Sequence, residues 1–395
     1  MSNKLLSFEI LTKELSQLIS LCNNISPKKS EIDLFTHTKF EFLENQIKLS
    51  VTNGNIFYSK SLKISSLETN SECNFLIKTD VLANVLNLIK DETITINLNL
   101  EKLTLQIIGT KSKNQLRVST DNITDFVLPT LNKSKISCRL QSKVNDIIES
   151  NKAAFISVGL PKNVYQSEFF NLCYSILPDT NKLVIVSTDR FRISRNQIET
   201  EYLYISPEKS KQEKVNFLIP PKTLQFLASA VNEKKEIIEI IFEENHVYFE
   251  LDNSLLIARY GDGVYPDYEK IIPKTFECDI EIGTEDFING IKQVLWCLRG
   301  DVYKSVTLNF NPEEKSLTFN SKNSEGDTSE YSISLINYEG PTSNWSQAYN
   351  AQYLLDYINL LKTETFIWKC NIGKPSVLSP KDLQEKQIYL CSGLK

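Results

Sequence analysis

Two histidines, His37 and His246, in 395 residues leave little room for imidazole acid–base chemistry, and they stand far apart in the chain. None of the eight cysteines, at positions 22, 73, 138, 173, 278, 297, 370 and 391, forms a CxxC pair or clusters with a histidine, so a structural zinc site is not expected. Their apolar settings, such as Leu18-Ile19-Ser20-Leu21-Cys22, mark them as reduced, buried small hydrophobes. Long apolar runs are missing too: nothing approaches the roughly 20 residues of a membrane span. Glu9 interrupts the N-terminal segment where a signal peptide needs a continuous apolar core, and a cytoplasmic protein without membrane association is expected. There is no GxxxxGK[ST] loop, no GxGxxG after a strand, no HExxH and no GxSxG, so neither an enzyme nor a bound cofactor is expected. Positive charge is in deficit, with 44 Lys and Arg against 49 Asp and Glu. That balance argues against a protein that coats its whole surface with cations to grip nucleic acid, while leaving room for a local basic face.

What the chain does have is repetition. Three segments begin as a short alternating strand and pass into apolar spacings of three and four: Phe8 and Ile10 then Leu15, Leu18 and Ile19; Cys138 and Leu140 then Val144, Ile147 and Ile148; Ile280 and Ile282 then Phe287, Ile288 and Ile291. Each reads as a strand feeding an amphipathic helix. A second strand-to-helix motif recurs in the same order, beginning at Phe75, Phe217 and Ala348. Its copies lie roughly 130 to 140 residues apart, the size of one domain. Between the helices the chain is rich in strands, with Glu44-Asn45, Glu244-Asn245 and Pro312-Glu-Glu-Lys315 as hairpin turns. The expectation is an α+β protein of three similar domains, each an antiparallel sheet framework carrying two helices, over residues 1–132, 133–274 and 275–395. Asp125-Phe126-Val127-Leu128-Pro129 closes the first, and Pro266-Asp267-Tyr268 through Ile272-Pro273 closes the second. Asp189, Asp262 and Asp267, flanked by arginine or set in turns, read as ion pairs and turn caps and not as catalytic carboxylates.

Three motifs carry a resemblance. Gly261-Asp-Gly263-Val-Tyr265-Pro266-Asp267-Tyr268-Glu-Lys270-Ile271-Ile-Pro273 resembles the segment joining the second and third domains of the bacterial DNA polymerase III β subunits, the sliding clamps. Val186-Ser-Thr188-Asp189-Arg190-Phe191-Arg192-Ile193-Ser194 is similar to that family's Thr-Asp-Gly-His-Arg-Leu motif, and the tail Lys386 to Lys395 lies where the family ends in a strand and a short apolar tripeptide. The resemblance implies a head-to-tail homodimer closing into a ring around duplex DNA, with helices lining the hole. Such a ring holds DNA by topology, and its negative net charge requires that the inner helices be basic; Lys13, Lys78, Lys90, Lys143, Lys152, Lys222 and Lys292 are candidates. Lys28 and Lys29 fall where the family carries a DNA-contacting loop.

The resemblance also implies a pocket for short linear peptides of the replicative polymerase, the clamp loader and repair proteins. It comprises Phe170, Thr188, Arg190, Arg192 and Ile193, then Pro266, Lys270 and Ile271, then Tyr303, Asn350, Tyr353, Ser376 and the tail residues Leu390, Cys391, Ser392, Gly393 and Leu394. Leu390 and Cys391 are expected as wall, and Arg192 and Asn350 as holders of peptide backbone or a Gln side chain. Arg190 and Phe191 replace the family's Gly-His, and Ser392-Gly393 its Met-Pro, which adds bulk and charge to one wall and removes bulk from the other. Two alternatives stay open: a clamp-fold paralogue with a specialised repair or mobile-element role, and a strand-rich structural or adhesion protein.

Overall fold

A computed structural model describes residues 5–43, 46–64, 73–162, 164–231, 236–251 and 253–394. The Glu44-Asn45 turn and Lys395 lie outside the described residues. Six helices of eight or more residues form among the described residues: α1 (Thr12–Ile25), α2 (Thr79–Leu88), α3 (Val144–Phe155), α4 (Pro221–Ala230), α5 (Thr284–Leu295) and α6 (Ala351–Ile358). Each follows a strand, as the change of apolar period predicts. In α1 the buried face is Leu15, Leu18, Ile19, Cys22 and Ile25, the spacing that puts one stripe against a sheet. No helix among the described residues is long and apolar enough to cross a membrane.

Local hydrogen bonds repeat three times with the sequence. The first N–H of α1, α3 and α5 donates to a glutamate carbonyl in each case: Thr12 to Glu92, Val144 to Glu236 and Thr284 to Glu364, at 2.8 to 3.0 Å. A backbone carbonyl therefore satisfies one of the four donors that a helix start leaves unpaired. Likewise the chain leaving each repeat bonds the strand before the second helix: Ser119 to Leu76, Gly261 to Leu218 and Leu394 to Ala348.

The described chain forms two compact units. One holds the chain up to Val144 with Tyr202–Lys209 and Lys222–Tyr260; the other holds Asn145–Glu201, Ser210–Pro221 and the chain from Gly261 onward. Each contains a nine-stranded and a four-stranded antiparallel sheet. The nine-stranded sheets explain why the middle repeat contributes to both units. In the first, Ser254–Arg259 pairs with Ile56–Lys63, with Ile257 opposite Phe57. In the second, Arg192–Glu199 pairs with Gln387–Cys391, with Ile193 opposite Leu390. Strands from neighbouring repeats thus share one ladder.

Aromatic side chains fill the cores. In the first unit Phe40 stacks on Phe75 at 4.8 Å and Phe8 meets Phe42 edge-on at 5.3 Å. In the second, Phe287 of α5 contacts Phe319, Phe366 and Trp368 at 5.1 to 5.8 Å. Each such ring, fully buried, contributes about 1.5 to 3 kcal/mol. All eight cysteines are buried thiols outside any disulfide, and burial pushes those of Cys22, Cys138, Cys173 and Cys391 up to about 12, which keeps them neutral and inert.

Candidate functional site

The shared ladder of the second unit brings the scattered site candidates together. Register sets Arg192 opposite Cys391 on one side of the tail strand, and Ser376 opposite Cys391 on the other. Ile193 and Leu390 lie in one apolar cluster with Tyr265 and Tyr268 of the junction segment. Thr188, Ile193, Ser376, Leu390 and Cys391 are all buried. They divide between the two faces of the sheet, Ile193 and Leu390 in that cluster and Cys391 in another with Tyr357 and Tyr389.

A tight turn leads into the ladder strand Arg192–Glu199. The Thr188 hydroxyl donates to the Arg192 carbonyl at 2.7 Å and accepts the Arg190 N–H at 3.1 Å. Asp189 Oδ1 accepts the N–H groups of Phe191 and Arg192 at 3.0 and 3.1 Å. This closure forces Arg190 to φ +80°, a left-handed conformation that glycine adopts freely and arginine does not. Arg190 and Phe191 project from the turn into solvent. The Phe191 carbonyl accepts the Ser392 N–H at 2.9 Å, which ties the turn to the tail.

Arg192 is already engaged within the chain. Its Nε donates to Asp189 Oδ2 and its Nη1 to Asp356 Oδ2, each at 2.9 Å, and its guanidinium lies 4.0 Å from the centre of the Tyr353 ring. With 11% of the side chain exposed, it is a buried brace between the turn and α6. Burial pushes the Asp189 carboxyl above its ordinary value, against the pull of Arg192. Asn350 is engaged as well: its side-chain oxygen caps α6 by accepting the N–H groups of Gln352 and Tyr353 at 3.0 and 3.3 Å. Both residues therefore build the site: Arg192 spends its Nε–H and one Nη1–H on the two carboxylates, and Asn350 spends its side-chain oxygen on the helix cap.

The remaining candidates divide by exposure. Pro266, Ile271 and Tyr303 are exposed, Tyr303 by 77%. Phe170 is half-buried at the end of a 3₁₀ turn, Ser167–Phe170. Lys270 is exposed and pairs with Asp267 at 3.0 Å, the ion-pair role expected for that acid. Among the described residues, no hydrogen bond or ion pair joins Phe170, Lys270 or Tyr303 to the group around Arg192. Ser392, Gly393 and Leu394 are half-buried, and Leu394 bridges to Ala348. Tyr349 and Ser376 share a buried hydroxyl bond of 2.5 Å.

Two contributors escaped sequence reasoning. Asp356 lies 164 residues from Arg192, and no local signal marks the pair. Tyr389, fully buried, stacks on Tyr357 at 4.5 Å and donates to the Tyr353 carbonyl at 2.8 Å, so it fixes the α6 face on which Arg192 rests. Its placement one residue before Leu390 on an alternating strand was the available clue.

The basic candidates are more dispersed than expected. Lys13, Lys152, Lys222 and Lys292 lie on helices, whereas Lys78 and Lys143 end strands and Lys90 follows α2. The six helices carry those four lysines against Glu14, Asp80, Asp146, Glu149, Glu285, Asp286 and Asp356, so the helices are net acidic and not basic. Lys152 is moreover paired with Glu149 at 2.9 Å. Lys28 and Lys29 are exposed in the bend after α1.

Comparison with known proteins sets these features in context. Residues 174–267 match the family of the DNA polymerase III beta subunit, central domain. A beta sliding clamp of Rickettsia felis is 24% identical over 397 residues, covering 96% of this chain and 98% of that one. The beta sliding clamp of Helicobacter pylori is 22% identical over 369 residues, with 92% and 91% covered. The structure superimposes on the beta subunit of Streptococcus pyogenes DNA polymerase with a TM-score of 0.86 at 17% identity, covering 98% of this chain and all of the other. The Helicobacter pylori beta clamp bound to a DNA ligase peptide gives 0.84 at 18%, with 98% and 100% covered.

Proposed function

We infer that this chain, a divergent member of the bacterial DNA polymerase III β-subunit family, is a DNA sliding clamp: a non-catalytic ring that encircles duplex DNA and tethers the replicative polymerase. The three repeats, proposed at residues 1–132, 133–274 and 275–395, each contribute one sixth of that ring, and two copies join head to tail. The observation that carries this reading is a pair of open sheet edges. Within the chain, two joints form when the last ladder strand of one repeat pairs with a strand of the repeat before it. The counterparts of those joint strands, Lys113–Arg117 in the first repeat and Thr328–Ser334 in the third, are terminal strands of the four-stranded sheets. An unpaired edge is a template for another strand. Pairing Lys113–Arg117 of one copy with Thr328–Ser334 of the next continues the same joint and closes the ring.

The net-acidic helices do not supply the basic lining expected of such a ring, so the reading rests on encirclement and not on helix charge. Lys28 and Lys29 supply a local contact, and topology supplies retention. The group around Arg190, Phe191 and the tail is the docking surface for short linear motifs of the polymerase, the clamp loader and repair proteins. The Helicobacter pylori clamp, of the same fold, binds a DNA ligase peptide.

Retention on nicked circular DNA tests the function. The protein is expected to stay bound at high salt and to leave when the circle is linearised; equal loss from both substrates overturns encirclement. The edges are tested by proline. Because backbone N–H groups alternate in direction along a strand, one of Gln115→Pro and Leu116→Pro removes a donor facing outward. That variant is expected to sediment as a folded monomer, and dimers from both variants would refute the proposed joint.

A further inference from the structure

The first unit holds a second copy of the turn that anchors the candidate peptide surface. Thr52 Oγ1 donates to the Ile56 carbonyl and accepts the Gly54 N–H, both at 2.9 Å, as Thr188 does with Arg192 and Arg190. Asn53 Oδ1 accepts the N–H groups of Asn55 and Ile56 at 3.1 and 2.9 Å, in the manner of Asp189. Gly54 has φ +87°, against +80° for Arg190. Even the strand beyond is tied in the same way, with Arg259 N–H on the Asn55 carbonyl where Ser392 N–H meets the Phe191 carbonyl.

Beside this turn lies a cavity of about 440 Å³, lined by Phe35, Phe57, Val127, Leu128, His246 and Arg259 among others. Its walls come from the same places in the repeat as those of the candidate peptide site: the turn, the junction segment and the strand that follows. Its polar groups include the cationic Arg259 and the imidazole of His246. No carboxylate among the described residues pairs with the exposed Arg259 guanidinium. His246 Nε2 is buried and has no hydrogen-bond partner, while Nδ1 lies 3.7 Å from Glu243 Oε2. Asp125 lines the cavity but is itself exposed. Val127 is 66% exposed beside the half-buried Leu128, so the apolar wall is open to a ligand.

We propose that this cavity is a second docking site, for a short extended peptide that presents an apolar side chain to Phe35, Phe57 and Leu128 and a carboxylate to Arg259 and His246. The apolar wall supplies burial, and the guanidinium and imidazole N–H supply charge-assisted hydrogen bonds that fix orientation. The choice of a peptide as occupant rests on the peptide-docking reading of the second unit. One ring would then offer two kinds of motif site per chain, differing in charge preference.

The test titrates the full-length protein with N-acetyl-Leu-Phe bearing a para-fluoro ring and a free carboxylate, followed by fluorine NMR. Phe191→Asp blocks the second-unit site, and binding is expected to persist in that background. There Arg259→Gln is expected to weaken it about tenfold or more, Arg259→Lys less, and the C-terminal amide of the probe should bind as poorly as Arg259→Gln makes the acid bind. Melting temperatures confirm that each variant is folded. If Phe191→Asp removes all binding up to about 5 mM probe, this second site is overturned and the second-unit reading stands. Residual binding unaffected by Arg259→Gln, or equal for acid and amide, also overturns it. Binding that ignores Phe191→Asp and vanishes with Arg259→Gln supports this site and counts against the other.

Discussion

The turns at Thr52 and Thr188 have the same backbone and opposite chemistry. Both are closed by a threonine hydroxyl and an Asx side-chain oxygen, and both put their third residue at positive φ. In the first the third residue is glycine and the fifth is Ile56, a buried apolar side chain. In the second these positions are Arg190, which bears backbone strain, and Arg192, which needs two carboxylates and an aromatic ring to be buried. The threonine and the Asx residue thus make the same hydrogen bonds in both turns, and the third and fifth positions differ in chemistry. Strain persists where surrounding contacts over-determine it, and here the Asp189 and Arg192 contacts do so.

Removing the acid should separate the two turns most. Asp189→Ala deletes two N–H acceptors and one of the two carboxylates holding a buried guanidinium, an expected loss of about 3 kcal/mol. Asn53→Ala deletes only the neutral acceptor, an expected loss of about 1 kcal/mol. Urea midpoints of both variants measure the difference. Similar losses would mean that the Arg192 network adds nothing beyond the turn, and Asp189→Asn should fall between the two.

Exchange of the strained residues is the next largest effect. Arg190→Gly relieves a left-handed arginine and is expected to stabilise by about 0.5 to 1 kcal/mol, visible as a higher melting temperature. Gly54→Arg should cost about 1 to 2 kcal/mol, because a Cβ there would also sit 3.1 Å from the Phe35 ring. A destabilising Arg190→Gly would show that the exposed arginine makes a contact worth more than its strain.

The same pair of turns marks the limit of what the sequence discloses. The strand-to-helix repeats were legible because a change from period two to spacings of three and four is local, and all six helices begin within about two residues of where that change falls. Lys78, Lys90 and Lys143 were misplaced by that same small margin. The twin turns went unseen because Thr-Asn-Gly and Thr-Asp-Arg share one letter, although hydroxyl and Asx acceptors do the same work in both. Strand sharing between repeats was invisible too. Ile193 and Leu390 are neighbours through backbone bonds that no side-chain pattern records across nearly two hundred residues. At the site, the ladder gathers Arg192, Ile193, Ser376, Leu390 and Cys391, and the sequence could not reveal that Arg192 and Asn350 also bond Asp189, Asp356 and the start of α6.

The smallest effect concerns the helices. Glu149 and Lys152 occupy the sixth and ninth positions of α3, where α1 has Gln17 and Ser20. Lys152 and Lys362 both reach Glu149, at 2.9 and 3.0 Å, and hold its carboxyl below the ordinary 4.5. A lowered folded value means that the stabilisation is present above about pH 4.5 and is lost as pH falls through the folded value. Because the carboxylate is 49% exposed, solvent and salt screen most of it, and Glu149→Gln should cost only about 0.3 kcal/mol at neutral pH. That difference should vanish in high salt or at low pH, while Gln17→Ala on α1 should show neither dependence. A pH-independent loss would assign Glu149 a packing role in place of a charge role, and the two helices would then differ in shape and not in electrostatics.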